Sequence, residues 1–413
     1  MAEPFTILIA ARDEEARIGE TVAALRGAFP DAEVLVADDG SRDGTAAAAE
    51  RAGARVVRLP RLGKGQALTL AEREGLPGAL LLCDADLEGD LGPLLDDGAD
   101  LAIAVFAERQ GGGFGIAKLA ARALVRALAG FEAREPLSGQ RALSTAAREA
   151  CFPLAPGFGC EVRMTIDAAR AGLRVEEREL TLRHRATGRD APGFLHRGRQ
   201  LLDAVLACGP TAANHRGLRL PLVGALVALG GVGAPRRVRL GVAATVAFGL
   251  ADDLWSGPER GFRAHLSQGS TTGAAKAVGI PLVALATTRS LRAATLVGLA
   301  ANALNQLDTR PGRALKAFLA GALLVRGPAK AYVPVAVLLA PYDLREMTML
   351  GDAGANGLGA LLGYGSVGKL TGRGQVLSIA ALAALTAVGE TRSLGQLIEC
   401  TPGLSRVDAW GRP

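Results

Sequence analysis

The residues best suited to chemistry in this 413-residue chain are carboxylates that end short apolar runs. Asp84-Ala85-Asp86 follows the run Ala79–Cys83, and Asp38-Asp39 follows Glu33–Ala37. A D-x-D pair does not hold a diphosphate directly. It holds Mg²⁺ or Mn²⁺, which bridges to phosphate oxygens and stabilises a departing diphosphate. The same residue types also serve turns and helix caps, so their placement decides between the readings. Later in the chain Asp252-Asp253, Asp308 and Asp352 adjoin long apolar stretches, where carboxylates are expensive and usually functional.

The elements that must position the first set follow from periodicity. Phe5–Ala11, Glu33–Ala37, Arg55–Leu59 and Ala79–Cys83 read as strands. Glu14–Ala28, with Ile18, Val22, Leu25 and Ala28 on one face, reads as a helix, as do Asp43–Ala52 and Lys64–Glu74. This alternation predicts an α/β fold, a mostly parallel sheet flanked by helices. Ligands of such sheets bind at the carboxyl ends of strands, where both acidic clusters fall. Gln110–Gly115 is a glycine-rich loop without dinucleotide-binding spacing, expected as a lid. Ile116–Leu128 and Gly157–Gly172 read as helical, Pro136–Arg141 as a polar turn, Arg174–Leu182 as an edge strand, and Arg183–Arg199 as a basic juncture.

Composition divides the chain. It is 49% hydrophobic but 4% aromatic, with 54 glycines, net charge +6 and mean hydropathy +0.24. The excess hydrophobicity lies beyond residue 217, in Leu220–Ala234, Leu240–Ala251, Ala277–Thr288, Ala293–Leu307, Ala317–Val325, Ala331–Tyr342, Ala353–Gly368 and Gly374–Gly389. Each is shorter than the roughly 20 residues of an untilted span, yet the series predicts an all-α polytopic membrane bundle of about eight short helices. Two apolar stretches separate Asp252-Asp253 from Asp308, and two separate Asp308 from Asp352, which places all of them on one membrane face. The expected domains are 1–213, in the cytoplasm, and 214–413, in the membrane. The N-terminus reads as a strand and not a signal peptide. Five scattered cysteines exclude a disulfide or zinc framework, and the absence of basic stripes with interleaved aromatics excludes nucleic acid as a partner.

Several ordered motifs of the first half resemble glycosyltransferase family 2. They are Ala10-Ala11-Arg12-Asp13-Glu14-Glu15, Asp38-Asp39-Gly40-Ser41-Arg42-Asp43-Gly44-Thr45, Gly63-Lys64-Gly65 and Asp84-Ala85-Asp86. The branch resembled is that of the polyprenyl-phosphate sugar synthases, over roughly residues 4–200. The resemblance implies the GT-A fold and a UDP- or GDP-linked nucleotide sugar held by Ala11, Arg12, Asp13, Glu15, Asp39, Lys64, Asp84 and Ala85. Asp13 and Asp39 would meet the nucleoside, Lys64 the phosphates, and Asp84 and Asp86 the metal. Gln140 and Arg141, in Ser138-Gly139-Gln140-Arg141, would lie on the acceptor side. Glu161 would be the base, a sugar-hydroxyl ligand, or a charge stabilising the start of its helix. His184, Arg185 and Arg189 would bind an acceptor phosphate or face anionic lipid.

Residues 216–413 resemble, more faintly, the polyprenyl-phosphate phosphoglycosyl transferases. The segments are Gly249-Leu250-Ala251-Asp252-Asp253, Asn302-Ala303-Leu304-Asn305-Gln306-Leu307-Asp308 and Leu350-Gly351-Asp352-Ala353-Gly354. The resemblance implies Mg²⁺ at Asp352, catalytic roles for Asp252, Asp253 and Asp308, and phosphate contacts from Arg263 and Lys276. Pro311 stands where that family has a second acidic residue, and its histidine-rich C-terminal loop is missing. An active enzyme, a lipid-binding anchor and an unrelated bundle all stay open for this half. The implied function is metal-dependent transfer of a hexose to a polyprenyl phosphate or lipid-linked sugar in bacterial lipid-linked glycan assembly. Membrane lipids are further partners, and a homodimer is among the assemblies considered.

Overall fold

The computed structural model describes residues 5–96, 98–107, 116–182, 191–255, 272–325, 327–391 and 394–412. It divides into two compact units, Met1–Pro221 and Leu222–Pro413.

In the N-terminal unit β1 (Thr6–Ala11), α1 (Glu15–Ala28), β2 (Glu33–Asp39), α2 (Thr45–Arg51), β3 (Arg55–Leu59), α3 (Lys64–Glu72) and β4 (Leu80–Asp84) follow the expected alternation. Then come β5 (Leu101–Phe106), α4 (Ile116–Ala129), β6 (Arg141–Leu143), α5 (Thr145–Cys151), α6 (Cys160–Arg170), β7 (Val175–Leu180), α7 (Ala191–Cys208) and a hairpin of β8 (Thr211–Ala213) and β9 (Arg219–Pro221). Among the described residues the main sheet has seven strands in the order β3-β2-β1-β4-β6-β5-β7, with β6 antiparallel to both neighbours and every other pairing parallel. Both faces are covered, so β1, β4 and β5 and most of β2 are apolar, while the edge strands β3 and β7 carry charges. Ile7, Ile9, Val34 and Val36 pack with Ile18 and Val22 of α1, and Leu8, Leu35 and Leu82 pack on the other face with Ala67, Leu68 and Ala71 of α3.

Two strands of the main sheet differ from expectation. β5 is an apolar run left unassigned by periodicity. Arg141, expected to end a polar turn, begins β6. Three residues carry no period of their own, and this strand exists because β4 and β5 both pair with it. Within the expected basic juncture, α7 is already helical from Ala191, while residues 183–190 lie outside the described set, as does the glycine-rich loop at 108–115.

The second unit is helical: α8 (Arg236–Trp255), α9 (Thr272–Thr288), α10 (Leu291–Leu307), α11 (Arg313–Val325), α12 (Val333–Leu344), α13 (Gly351–Lys369), α14 (Gly372–Thr391), α15 (Leu394–Cys400) and α16 (Pro402–Ala409). At its centre α13 packs on α8, α10 and α11. The first apolar stretch is not an α-helix. It holds a short 3-10 turn at Gly224–Leu229, bounded by the helix-breaking residues Pro221, Gly230, Gly231 and Pro235. Eight membrane spans are expected from the sequence; among the described residues one helical segment, Gly372–Gly389, is long and apolar enough to cross a bilayer. Charges explain part of the difference: Arg236, Arg237 and Arg239 begin α8 and Asp252-Asp253 end it, which shortens its apolar middle.

Gly65, in the first turn of α3, lets that helix approach the Ala155 backbone, since an added Cβ would lie 1.9 Å from the Ala155 carbonyl oxygen. Gly65→Ala is expected to lower the unfolding free energy by about 1–3 kcal/mol. Gly27→Ala, exposed in α1 with nothing within 4 Å of the new Cβ, is expected to raise it by up to about 1 kcal/mol. Urea titrations followed by circular dichroism test both; a neutral Gly65→Ala would refute the close-packing argument.

Candidate active site

Sheet register gathers the first site. Ala11 pairs with Asp38 and Ala10 with Asp84, so the ends of β1, β2 and β4 lie at one edge. The loops leaving that edge are laced together. Asp13, in the left-handed region at φ 53°, accepts the Arg42 N–H at 2.8 Å, and its own N–H donates to Ser41 Oγ at 3.0 Å. The Glu14 N–H donates to Thr45 Oγ1 at 2.8 Å, and Glu15 accepts the Gly44 N–H at 2.9 Å. Asp39 is buried and accepts the N–H groups of Leu62 (2.6 Å) and Gly63 (2.9 Å), fixing the approach to α3. Burial pushes its carboxyl above the usual range despite those N–H groups and the Arg12 and Arg61 guanidinium groups.

A partly buried lysine organises the floor. Lys64 Nζ donates to Asp84 Oδ1 at 2.7 Å and lies 2.8 Å from Glu161 Oε1. Asp84 Oδ2 accepts from Gln140 Nε2 at 2.8 Å, and Glu161 Oε2 accepts from Cys160 Sγ at 3.0 Å. Burial alone would lower the lysine pKa, but the Asp84 and Glu161 carboxylates hold it well above the ordinary lysine value. Gly139 permits this approach, because a Cβ there would sit 2.5 Å from the Asp84 carboxylate.

These contacts show what several of the expected site residues touch within the chain itself. Lys64, expected on phosphates, is here the counter-ion of two carboxylates. Glu161, expected as base or sugar ligand, is 4% exposed and ion-paired, so its carboxylate braces Lys64. Arg141, expected on the acceptor side, is wholly buried and donates to the carbonyls of Ser138 and Pro136 and to Thr165 Oγ1. It holds the turn that delivers Gln140. Ala11 and Ala85 are buried, the Ala85 carbonyl accepting the Thr21 hydroxyl at 2.9 Å. Asp86 is partly exposed and has no hydrogen-bond or ion-pair partner among the described residues. Among those residues no three His, Cys, Asp or Glu side chains converge as a metal site. The donor chemistry nonetheless fits Mg²⁺ or Mn²⁺, which take one or two carboxylates and complete their shells with phosphate oxygens and water. Asp86 offers the unengaged carboxylate, and Asp84 a second once Lys64 lets go.

The helical unit has its own acidic site. Four consecutive N–H groups start α13, and helix starts leave such groups without intrahelical partners. Asp343 accepts from Leu350 (3.2 Å), Asp308 from Gly351, and Asp253 from Asp352 and Ala353 (2.9 Å each). Asp253 and Asp308, expected to be catalytic, thus cap the helix that carries Asp352. Asp343 also accepts the Gly312 N–H at 2.6 Å and so ties the turn after Asp308 to the start of α13. Sequence reasoning missed Asp343. Its signal is a lone carboxylate ending the apolar run Val333–Leu344. The other two aspartates share a cation: Lys276 Nζ donates to Asp252 Oδ2 at 2.6 Å and to Asp352 Oδ2. Lys276 is expected on phosphate and here lies on carboxylates. His184, Arg185, Arg189 and Arg263 lie outside the described residues.

Residues 6–124, within the N-terminal unit, match the model of glycosyl transferase family 2. The chain is 34% identical over 193 residues to Glycosyltransferase AglJ of Haloferax volcanii, covering 41% of this chain and 61% of that protein. It is 31% identical over 192 residues to glucosyl-3-phosphoglycerate synthase of Mycolicibacterium smegmatis, covering 39% and 63%. It therefore spans about three-fifths of the length of these relatives. A solved structure of glucosyl-3-phosphoglycerate synthase from Mycobacterium tuberculosis, in complex with Mn²⁺, uridine diphosphate and phosphoglyceric acid, is similar at 28% identity and a TM-score of 0.42, covering 50% of this chain and 79% of that one.

Removing the Lys64 ammonium strands two carboxylates, one of them deeply buried. Lys64→Met is expected to cost about 3–5 kcal/mol at neutral pH. The native contribution comes from a raised lysine pKa, so it is fully present below the unfolded value of about 10.4 and fades as pH rises through the folded one. The deficit should therefore hold through neutral pH and shrink as pH climbs past about 10.4. Unfolding free energies measured from neutral to strongly alkaline pH check it; a pH-independent deficit would contradict the ion-pair account.

Proposed function

We propose that the N-terminal unit transfers a hexose, with inversion, from a UDP- or GDP-linked sugar to a polyprenyl phosphate or lipid-linked sugar, and that it works at the cytoplasmic face of a membrane. The observation carrying this reading is the strand-end site in which Asp39 and Asp84 are braced by protein contacts while Asp86, among the described residues, stays unengaged beside them. The family 2 match and the names of the two relatives support sugar transfer.

In this reaction an acceptor oxygen attacks the anomeric carbon. The bond from that carbon to the diphosphate breaks, and the electron pair leaves with the nucleoside diphosphate. Asp86 with Asp84 would hold Mg²⁺ or Mn²⁺, which would neutralise the departing charge. Lys64 stands beside Asp84, where it can turn to a phosphate oxygen. A phosphate acceptor is already ionised near neutral pH and needs no strong base, which agrees with Glu161 serving as a counter-ion.

A lipid-linked acceptor is supported by the surface of the helical unit. Val232, Leu229, Leu291, Leu323, Leu377 and Trp410 are each at least 70% exposed, an apolar display that marks partner or lipid contact. We assign to this unit the recognition of the lipid phosphate, with Lys276 as the cationic ligand and Asp252 and Asp352 as the carboxylates of a Mg²⁺ site. The second relative's name favours one competing reading, a small acceptor such as 3-phosphoglycerate.

Radiolabelled nucleotide sugars offered with polyprenyl phosphate or with 3-phosphoglycerate, plus Mn²⁺, separate the two. Label should enter the organic phase, and Asp86→Ala should reduce it by at least about 100-fold. Label confined to a water-soluble phosphoglycerate product would establish the small acceptor instead, and no transfer to either would sink the proposal. Release of nucleoside monophosphate would mark a second, sugar-phosphate-transferring activity, removed by Asp352→Ala and retained in Asp86→Ala.

A further inference from the structure

We infer that Lys276 is the resident counter-cation of the helical unit's acidic site. It must be drawn onto a phosphate before a divalent cation can take its place between Asp252 and Asp352, so phosphate and cation bind as a linked pair. The inference rests on the reading above, in which this unit handles a lipid phosphate, and adds to it an interdependence of the two ligands.

The geometry supports exchange over coexistence. Asp252 Oδ2 and Asp352 Oδ2 both contact the one Lys276 nitrogen, so two carboxylate oxygens converge on a single cation-sized point. The ammonium is thus a stand-in for the ion those oxygens would hold. The neighbouring carboxylates offer no ready alternative, because Asp253, Asp308 and Asp343 are spent on the backbone N–H groups of Leu350–Ala353. A divalent ion beside an undisplaced ammonium would meet strong repulsion at this range. Of the three partners, the lysine has the movable charge, a compact ammonium on a flexible four-carbon stem. The Asp352 backbone, by contrast, is pinned by Asp253. A phosphate gives the ammonium a new partner and leaves Asp252 and Asp352 uncompensated, which raises their affinity for Mg²⁺ or Mn²⁺. By linkage the cation raises phosphate affinity by the same factor.

The test titrates Mn²⁺ into the full-length protein in detergent micelles, with free Mn²⁺ read by electron paramagnetic resonance. All proteins carry Asp86→Ala to suppress binding in the N-terminal unit. Without phosphate, Lys276→Met should bind Mn²⁺ at least about tenfold more tightly than the protein retaining Lys276. Lys276→Gln, which keeps a donor but no charge, should do the same and guards against a folding defect in the methionine variant. A short-chain polyprenyl phosphate should tighten Mn²⁺ binding about tenfold when Lys276 is present and leave both neutral variants unchanged. Inorganic phosphate is run in parallel, and tightening by it alone would show that the headgroup suffices. Equal Mn²⁺ affinity with and without the lysine charge, in a site still abolished by Asp352→Ala, would overturn the linkage and leave the site standing. No Mn²⁺ binding sensitive to Asp352→Ala under any condition would overturn the underlying reading as well.

Discussion

A single ammonium shared by two carboxylates recurs in each unit. Lys64 joins Asp84 to Glu161 in the first, and Lys276 joins Asp252 to Asp352 in the second. The constraint behind both is the cost of holding paired carboxylates where water is scarce. Without a cation one of each pair would be driven to its neutral form, and a neutral acid is a poor metal ligand. The lysine keeps the carboxylates ionised and convergent when no ligand is present. The same contact makes the lysine a competitor for the position that a divalent ion would take, so assembly and ligand binding oppose each other within one interaction.

Backbone amides impose the second constraint. An acidic residue in a motif can meet a ligand or satisfy a buried N–H, and many here do the latter. Asp39 takes the amides of Leu62 and Gly63, and Asp253 those of Asp352 and Ala353. Each such bond spares the buried-polar penalty of an unpaired donor, of order 1–3 kcal/mol. Acid-rich motifs are therefore partly scaffolding. What distinguishes Asp86 from its neighbours is not its residue type but that it has no such duty among the described residues.

Much of the N-terminal fold was legible in the sequence, because both faces of its sheet are buried and apolar runs then mark strands directly. β6 was not, since three residues gain strand geometry only from pairing on two sides. The acidic motifs were legible as a set, but their division of labour was not. Nothing in the spacing says that Lys64 reaches Glu161, 97 positions away, or that Arg141 is wholly buried beneath its own turn. The helical unit was legible as helical because each apolar stretch but the first can propagate. Leu220–Ala234 fails at Gly230-Gly231, where glycines remove the propensity that hydropathy does not measure.

Asp343 shows how a residue outside every motif can set the geometry of those inside. Its two oxygens accept from amides on separate turns, Gly312 after Asp308 and Leu350 before Asp352. Asparagine could not replace it without loss, because its side chain presents one acceptor and one donor to two N–H groups. The carboxylate is also the better partner for a helix start, where the macrodipole favours negative charge. With Asp253 and Asp308 it neutralises that end of α13, so the helix field is already met by fixed groups before any ligand arrives. Among the described residues an incoming phosphate then meets a helix terminus already capped, beside the lysine that Asp252 and Asp352 hold.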